Sequence, residues 1–314
     1  MRVTLQPEPT VAYLIEAQVG EEQDYIADQV LPAVPVVNLT GYFGRLLQGA
    51  GRIVATVVKG LARNVVNFEF DRNATYAIED NALETPIDRN EAERCGGWNE
   101  AKEIHGVVLV DLIRKNREHM LASALVDTSI ITNYVTLTGG DQWTTSTSEV
   151  LGRIKTAKES VSSKTGKPAN RVFMGYPTYL ALQSHPQIIA TLAPGRPSTS
   201  LLSADDMAKA FGIEKVIVGM ATYDEAMEGQ TEDQAFIWGD NLIVAYVAPS
   251  GQARFSKTLG ANLKCPTKAP DTYAGSYVPE GKNADQVQVM VVGRNWQDKL
   301  INTGAAYAIR DTNA

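Results

Sequence analysis

Residues Trp98 to Asp127 carry an apolar repeat that fits one long helix. Ile104, Val108 and Leu112 lie on one stripe, and Leu109, Ile113, Asn116 and Met120 continue beside it. Asp111 precedes Lys115 by four positions, the favoured order for a helical ion pair. At 1.5 Å per residue such a helix runs about 40 Å. That is long for a globular domain, so the rest of the chain has to be arranged along a strut.

The apolar stretch "YIADQVLPAVPVVNLTGYFGRLL", residues 25 to 47, adds a second constraint, because Pro32 and Pro35 sit inside it. Proline removes a backbone donor and holds the preceding residue out of the α region, which excludes a helix interior. A central strand is excluded too, since its ladder would lose hydrogen bonds. The segment is therefore extended and must lie against something. The stretch that follows is ambiguous between residues 51 and 63. Ile53, Val54, Val57, Val58 and Leu61 fit a helical face opposite Arg52, Lys59 and Arg63. The density of β-branched residues favours strands, and Gly49, Gly51 and Gly60 would weaken a helix, so the balance falls to strands.

Beyond residue 140 helices and strands interleave. Ser146 and Glu149 fit a capping box, and Val150, Ile154, Ala157 and Val161 line a helical face that Gly166 and Pro168 end. "RVFMG" reads as a buried strand, and Pro177 suits the first position of a helix. "SADDMAKAFG" reads as a capped helix and "EKVIVGMA" as a strand. "AFIWG" and "NLIVAYVA" read as strands joined by a Gly239-Asp240 hairpin turn. "KCPTKAPDTYAGSYVPEGKNA" has three prolines and no period, the mark of an irregular functional or interface segment. "QVQVMVVGR" alternates as a strand, and "AAYAIR" reads as a last one.

No chemistry-bearing pattern emerges. The 314 residues are 44% hydrophobic and 21% charged with a net charge of −7, which points away from a dedicated nucleic-acid or membrane binder. Cys95 and Cys265 make neither a disulfide framework nor a metal spacing, and read as inert thiols of a reducing compartment. The first residues lack a secretory pattern, and no apolar run approaches the ~18 residues of a membrane helix, so a soluble protein made in a cytoplasm is expected. His105, His119 and His185 form no metal pair, and neither a His-Glu-x-x-His nor a Gly-x-Ser-x-Gly motif occurs. "KTGKPA" reads as a helix end, Asp205-Asp206 as helix N-terminal charge, and the four tryptophans are scattered. No catalytic, cofactor or metal residue is expected.

The order of several stretches resembles the major capsid proteins of tailed bacteriophages, with the Hong Kong 97-type capsid fold. "YIADQVLPAVPV" is similar to the passage from amino-terminal arm to extended loop, and "TYAIEDNALETPIDRNEAER" to the return from that loop. "DLIRKNREHMLASALVDT" resembles the end of the spine helix. "ANRVFMGYPTYLALQSHPQI" is the most specific match, the start of the axial domain, whose later strands "AKAFGIEKVIVGMATYD" and "FIWGDNLIVAYVAP" resemble. The resemblance covers about residues 25 to 310 and matches poorly at 41 to 68. It implies an α+β fold: arm 1–37, extended loop 38–87, peripheral domain with spine helix 88–145 and 263–314, and axial domain 146–262.

It also implies pentamers and hexamers closing into an icosahedral virion shell around packaged double-stranded DNA, assembled in a host bacterial cytoplasm. Other copies of the chain are the main partners, with separate scaffolding and portal proteins and a decoration protein as further ones; the DNA is touched non-specifically, and no membrane partner, catalysis or cofactor is implied. An encapsulin-type compartment or a soluble α/β enzyme are the alternative readings. On the capsid reading the proline segment, with Pro32 and Pro35, lies on another copy, and a chain starting near Asn38 should still fold. Some relatives join a loop lysine to a neighbour's asparagine; Lys59 sits in the loop, and a single uncrosslinked band is expected.

Charge divides sharply at the loop. Residues 39 to 68 hold no acid and four bases, Arg45, Arg52, Lys59 and Arg63, for a charge of +4. Residues 69 to 103 hold ten acids and four bases, a net of −6. The four bases, together with Glu91 and Glu93 at the acidic start of the long helix, are candidate inter-subunit contacts.

Overall fold

The computed structural model describes residues 5–9, 11–13, 25–42, 46–48, 69–70, 74–192, 201–227, 229–249 and 257–313. Two sheets and one long helix organise them. The first sheet has six strands. Its path runs β1 (Gln6–Pro7), β15 (Thr272–Tyr277), β16 (Val287–Leu300), β14 (Gly260–Lys264) and β2 (Ala33–Pro35), with β7 (Glu79–Asp88) pairing along the other side of β16. The second sheet has five, in the order β10 (Lys215–Gly219), β9 (Arg171–Gly175), β13 (Leu242–Ala245), β17 (Ala306–Arg310) and β8 (Tyr134–Thr136).

The helices α1 (Ala27–Val30), α2 (Arg89–Cys95), α3 (Trp98–Val126), α4 (Val150–Thr165), α5 (Tyr176–Gln183), α6 (Pro186–Leu192) and α7 (Ala204–Phe211) all precede β10 in the chain. The expected strut is α3, 29 residues long. Asp88 starts α2 by accepting a hydrogen bond from the Glu91 amide, and Gly96, at φ +98°, turns the chain into α3. A side chain at that angle would be strained, which is why a glycine serves there.

The long helix serves both sheets. Its first half packs Ala101, Leu109 and Val110 against Ile87, Met290 and Val292 of the six-stranded sheet. Its second half packs Leu121, Ala122 and Leu125 against Phe173, Ile243 and Trp238 on one face of the five-stranded sheet. The other face of that sheet, through Val172, Met174, Leu242 and Val244, receives Ile154, Ala157 and Val161 of α4 and Met207 and Phe211 of α7. β13 is buried at every position because both of its faces are covered.

Several expectations fail locally. The α4 capping box does not form. The helix starts at Val150 without a side-chain cap from Glu149, and Gln187 Oε1 instead accepts from the Val150 and Leu151 amides at 2.8 and 3.1 Å. Gly239-Asp240 is a turn but not a hairpin: β12 (Gln234–Phe236) pairs with β11 (Thr222–Asp224), while β13 pairs with β9 and β17. The stretch expected to be irregular contains β15, whose Thr272–Tyr277 match Val289–Arg294 of β16.

Strand pairing crosses the expected bounds of the chain's parts. β8 and β17 fall within 88–145 and 263–314, yet both complete the sheet built from residues 171–245. β2 falls within the expected arm, yet it is a parallel edge strand of the six-stranded sheet, Val34 opposite Leu263. The edge position satisfies the proline rule, since Pro35 has no ladder donor to lose there. Residues 26 to 36 find much of their cover within their own chain. Ile26, Val30, Leu31, Val34 and Val36 are buried in their own chain, and Pro32 is buried with them. An apolar segment of this density finds its cover within the chain because α3 and β14 present matching apolar faces beside it.

Candidate assembly interface

The segment before β2 is held to α3 by charge as well as by apolar contact. Glu118, fully buried, accepts from the Ile26 and Ala27 amides at 3.0 and 2.8 Å and from Trp238 Nε1 at 2.6 Å. One carboxylate thus ties together the amino-terminal segment, the long helix and the turn before β13. Burial raises its pKa above the ordinary glutamate range, against the pull of those three donors. Next to it, Arg117 donates through Nε and Nη2 to Asp298 at 2.7 and 3.1 Å and through Nη1 to Asp28 at 2.8 Å. Burial alone would lower the guanidinium pKa, but Asp298 and Asp28 outweigh it and hold it raised. Tyr25 Oη donates to Asp111 Oδ1 at 2.7 Å, one further rung along the helix.

A second clasp lies near the start of α3. Lys102 is buried, and its Nζ donates to Glu8 Oε1 at 2.8 Å and to Ser276 Oγ at 3.2 Å. Burial would raise the Glu8 carboxyl, but the Lys102 hydrogen bond, the largest influence, holds it below its ordinary range. Sequence reasoning missed Lys102, Arg117 and Glu118. The signal was present: position 117 stands four after Ile113 and four before Leu121, on the inward side of the helix.

The outward side of α3 is apolar instead. Ile104 and Val108 are each 53% exposed, Leu112 44% and Met120 64%. Where this face meets β16 and β7 there is a cavity of about 300 Å3. Its floor includes Leu31, Leu121 and Leu300, and its rim includes Glu79, Asn81 and Met120.

The anticipated contact residues distribute unevenly. Pro35 is exposed on the edge strand, Pro32 is buried. Glu91 Oε1 meets His105 Nε2 at 3.0 Å and Glu93 Oε1 meets Arg89 Nε at 2.8 Å, so both acids already have partners in their own chain. Arg45, Arg52, Lys59 and Arg63, and with them the strand reading of 51–63, lie outside the described residues. Among the described residues no group of three or more His, Cys, Asp or Glu side chains could hold a metal ion, and no helix is long and apolar enough to cross a membrane.

This mixed helix and sheet architecture is that of phage capsid proteins. It aligns with a phage-related protein from Bordetella bronchiseptica RB50 at a TM-score of 0.69 and 19% identity over 98% of both chains. It aligns with the capsid structure of cyanophage P-SCSP1u at 0.54 and 10% identity, over 91% of this chain and 87% of the other. In sequence it is 25% identical over 227 residues to the major capsid protein of Burkholderia phage BcepMu, which covers 71% of each chain. No family model matches the chain. The protein is a homologue of bacteriophage major capsid proteins.

Proposed function

We propose that this chain is the major capsid protein of a tailed bacteriophage. It assembles with copies of itself, as pentamers and hexamers of Hong Kong 97-type subunits, into an icosahedral virion shell around packaged double-stranded DNA. The observation that carries the reading is the homology to a phage major capsid protein across most of the chain, joined to a fold shared with a phage capsid. On this reading the six-stranded sheet with α3 is the peripheral domain, and the five-stranded sheet with its helices is the axial domain. The antiparallel pairs β3 (Thr40–Tyr42) with β6 (Thr75–Ala77) and β4 (Leu46–Gln48) with β5 (Glu69–Phe70) are the base of the extended loop. Assembly takes place in the host bacterial cytoplasm with separate scaffolding and portal proteins, and a decoration protein where the shell carries one.

Negative-stain imaging of purified particles tests the shell, and nuclease-protected DNA inside native particles tests the contents. Closed shells holding DNA are expected. A sharp ~34 kDa species at every concentration and salt, the size of one chain, would reject the shell. Shells holding a cargo enzyme and no DNA would make it an encapsulin-type compartment.

A further inference from the structure

We infer that one end of the five-stranded sheet is the surface this chain turns toward packaged DNA, with Lys158, Lys164, Lys167, Arg171 and Lys215 meeting its phosphates. The inference rests on the shell reading and adds which part of the subunit looks inward. The five cations gather where β9 and β10 begin and α4 ends. Arg171 and Lys215 are register partners at the first positions of β9 and β10. Along the same row Arg171 stands opposite Ala245 of β13, and Ala245 opposite Ala306 of β17. Asn133 Nδ2 donates to the Ala306 carbonyl at 3.4 Å, and Lys164, in the last turn of α4, donates to Asn133 Oδ1. Lys167 is exposed just beyond that helix. Lys158 reaches the end of α7, where its Nζ donates to the Phe211 and Gly212 carbonyls at 2.6 and 3.1 Å.

The kind of partner these residues have sets them apart. Elsewhere cations are matched by carboxylates, as Lys102 is by Glu8, Arg117 by Asp28 and Asp298, and Lys264 by Asp271. Among the described residues none of the five takes part in an ion pair. Their contacts are to uncharged oxygens instead. Lys215 Nζ donates to Gln29 Oε1 at 2.8 Å, and Arg171 Nη1 donates to the Gln29 carbonyl. Bonds of this kind hold a cation in place without cancelling its charge. Glu159 and Glu214 are the acids adjacent to them in sequence, so five bases and two acids leave +3 in a chain of net −7. A duplex presents one negative charge per ~1.7 Å of its axis, and the acidic remainder of the subunit repels it. At ~4.8 Å per strand the row from Lys215 to Ala306 is about 14 Å wide, so several phosphates fall opposite it. Phosphate contacts position a duplex without reading its sequence, which suits a shell that must accept every part of a genome. The contact is ionic and hydrated, so it asks for no apolar cover on α4.

The test uses DNA-filled wild-type particles. Formaldehyde joins lysine amines to bases, and after nuclease digestion peptide mass spectrometry is expected to find nucleotide adducts at Lys164 and Lys167. An amine reagent coupled to a polymer too large to cross the shell is expected to spare both lysines until the particles are opened. Unassembled chains test the chemistry separately, by fluorescence anisotropy of a short random-sequence duplex at low salt and above. The logarithm of affinity against the logarithm of salt should lose about 0.9 of slope for each phosphate contact removed. Lys164→Gln with Lys167→Gln, both exposed positions, should therefore flatten the slope, while Lys282→Gln, exposed between β15 and β16, leaves it as in the wild type. Filled particles whose two lysines form no DNA adducts, or take the polymer-coupled reagent from outside, overturn the assignment and leave the shell reading intact. So does a duplex that fails to bind wild-type chains at low salt, or a double variant with the wild-type slope. Carbodiimide linkages from Lys164 or Lys167 to Asp224, Glu225 or Glu232 of another copy, in place of DNA adducts, make the patch a contact between copies and overturn it too. Wild-type chains that form no particles, or particles without DNA, overturn the shell reading and this assignment together.

Discussion

Helices α3 and α4 obey opposite rules. In α4 the apolar residues Val150, Ile154, Ala157 and Val161 all face the core, and no charged residue is buried with them. In α3 the inward side includes Lys102, Arg117 and Glu118, while Ile104, Val108, Leu112 and Met120 stand in solvent. A helix that serves only its own core has no reason to expose such residues, and α4 does not. α3 has two further tasks. It must hold an amino-terminal segment whose free backbone amides need an acceptor, which Glu118 supplies. It also presents an apolar face that none of the described residues covers. Buried charge on the inside and apolar surface on the outside are the two signs of a helix shared between its own fold and an assembly.

The largest effect should come from removing what α3 holds. A chain starting at Asn38 loses Ile26, Val30, Leu31, Val34 and Val36 from the core and strips Glu118 of two donors and Arg117 of Asp28. Each buried aliphatic side chain contributes about 1.5–3 kcal/mol, so five of them approach the whole ~5–15 kcal/mol stability of a domain. This truncation should therefore abolish native helix content by circular dichroism, contrary to the expectation drawn from the sequence. A soluble product with the wild-type spectrum would show that the segment is dispensable and that α3 resembles α4 after all.

Point substitutions compare the two helices directly. Glu118→Leu leaves the Ile26 and Ala27 amides and Trp238 Nε1 buried without an acceptor, and removing one partner of a buried polar set costs ~3–5 kcal/mol. Ile154→Ala in α4 opens a cavity for ~2–5 kcal/mol. Urea titrations of both variants should show comparable losses, although one removes a charge and the other a methyl cluster. A loss below ~1 kcal/mol for Glu118→Leu would mean that the polar node is ornamental and the apolar contacts alone hold the segment.

How legible this was in the sequence follows from the same contrast. The period of α3 and α4, the strands "RVFMG" and "QVQVMVVGR", and the edge character of the proline segment were readable. Each rests on local rules: residue spacing, alternation and the missing proline donor. The destination of the proline segment was not readable, because exclusion from helix and central strand says nothing about which chain supplies the cover. The phase of α3 was not readable for a related reason. Counting apolar residues gives two adjoining stripes without saying which one faces the core; packing turned Ile104, Val108 and Leu112 out, while Arg117 and Glu118 reach Asp298 and Trp238 from β16 and a turn 120 positions away. β8 and β17 join a sheet remote in sequence for the same reason: pairing partners are set by tertiary contact.

Smaller in stability, though not in consequence, is the outward face. Val108→Ser with Leu112→Ser changes exposed positions and should alter subunit unfolding by no more than about 0.5 kcal/mol each. Particle yield should nevertheless fall, measured by sedimentation against wild type. The equivalent pair of exposed changes on α4, Glu159→Ser with Lys155→Ser, should leave yield unaltered. Equal yields from both variants would remove the distinction between a helix that faces a partner and one that faces water.

The smallest effect belongs to the side of the molecule that α4 packs, and it depends on pH. His185 is 2% exposed, with Nε2 3.1 Å from Ser148 Oγ and 3.4 Å from the Thr145 carbonyl. Burial, the dominant influence, lowers its pKa below the ordinary value of 6.5, against a weaker upward pull from Thr145. In the unfolded chain the ring titrates near ~6.5. Between that value and the lower folded one, the unfolded state binds a proton that the native state does not, so stability rises with pH across the window. The contribution is complete above ~6.5 and shrinks as the pH falls towards the folded pKa. The expected outcome is a lower Tm at pH 5.5 than at pH 7.5, with a smaller drop in His185→Gln, whose side chain does not titrate. Hydrogen exchange should localise the difference to α4 through α6 and leave the α3 clasp at Glu118 unchanged. A wild-type drop no larger than that of the glutamine variant would show that the ring's burial has no energetic consequence, and acid sensitivity would then have to come from the charged helix instead.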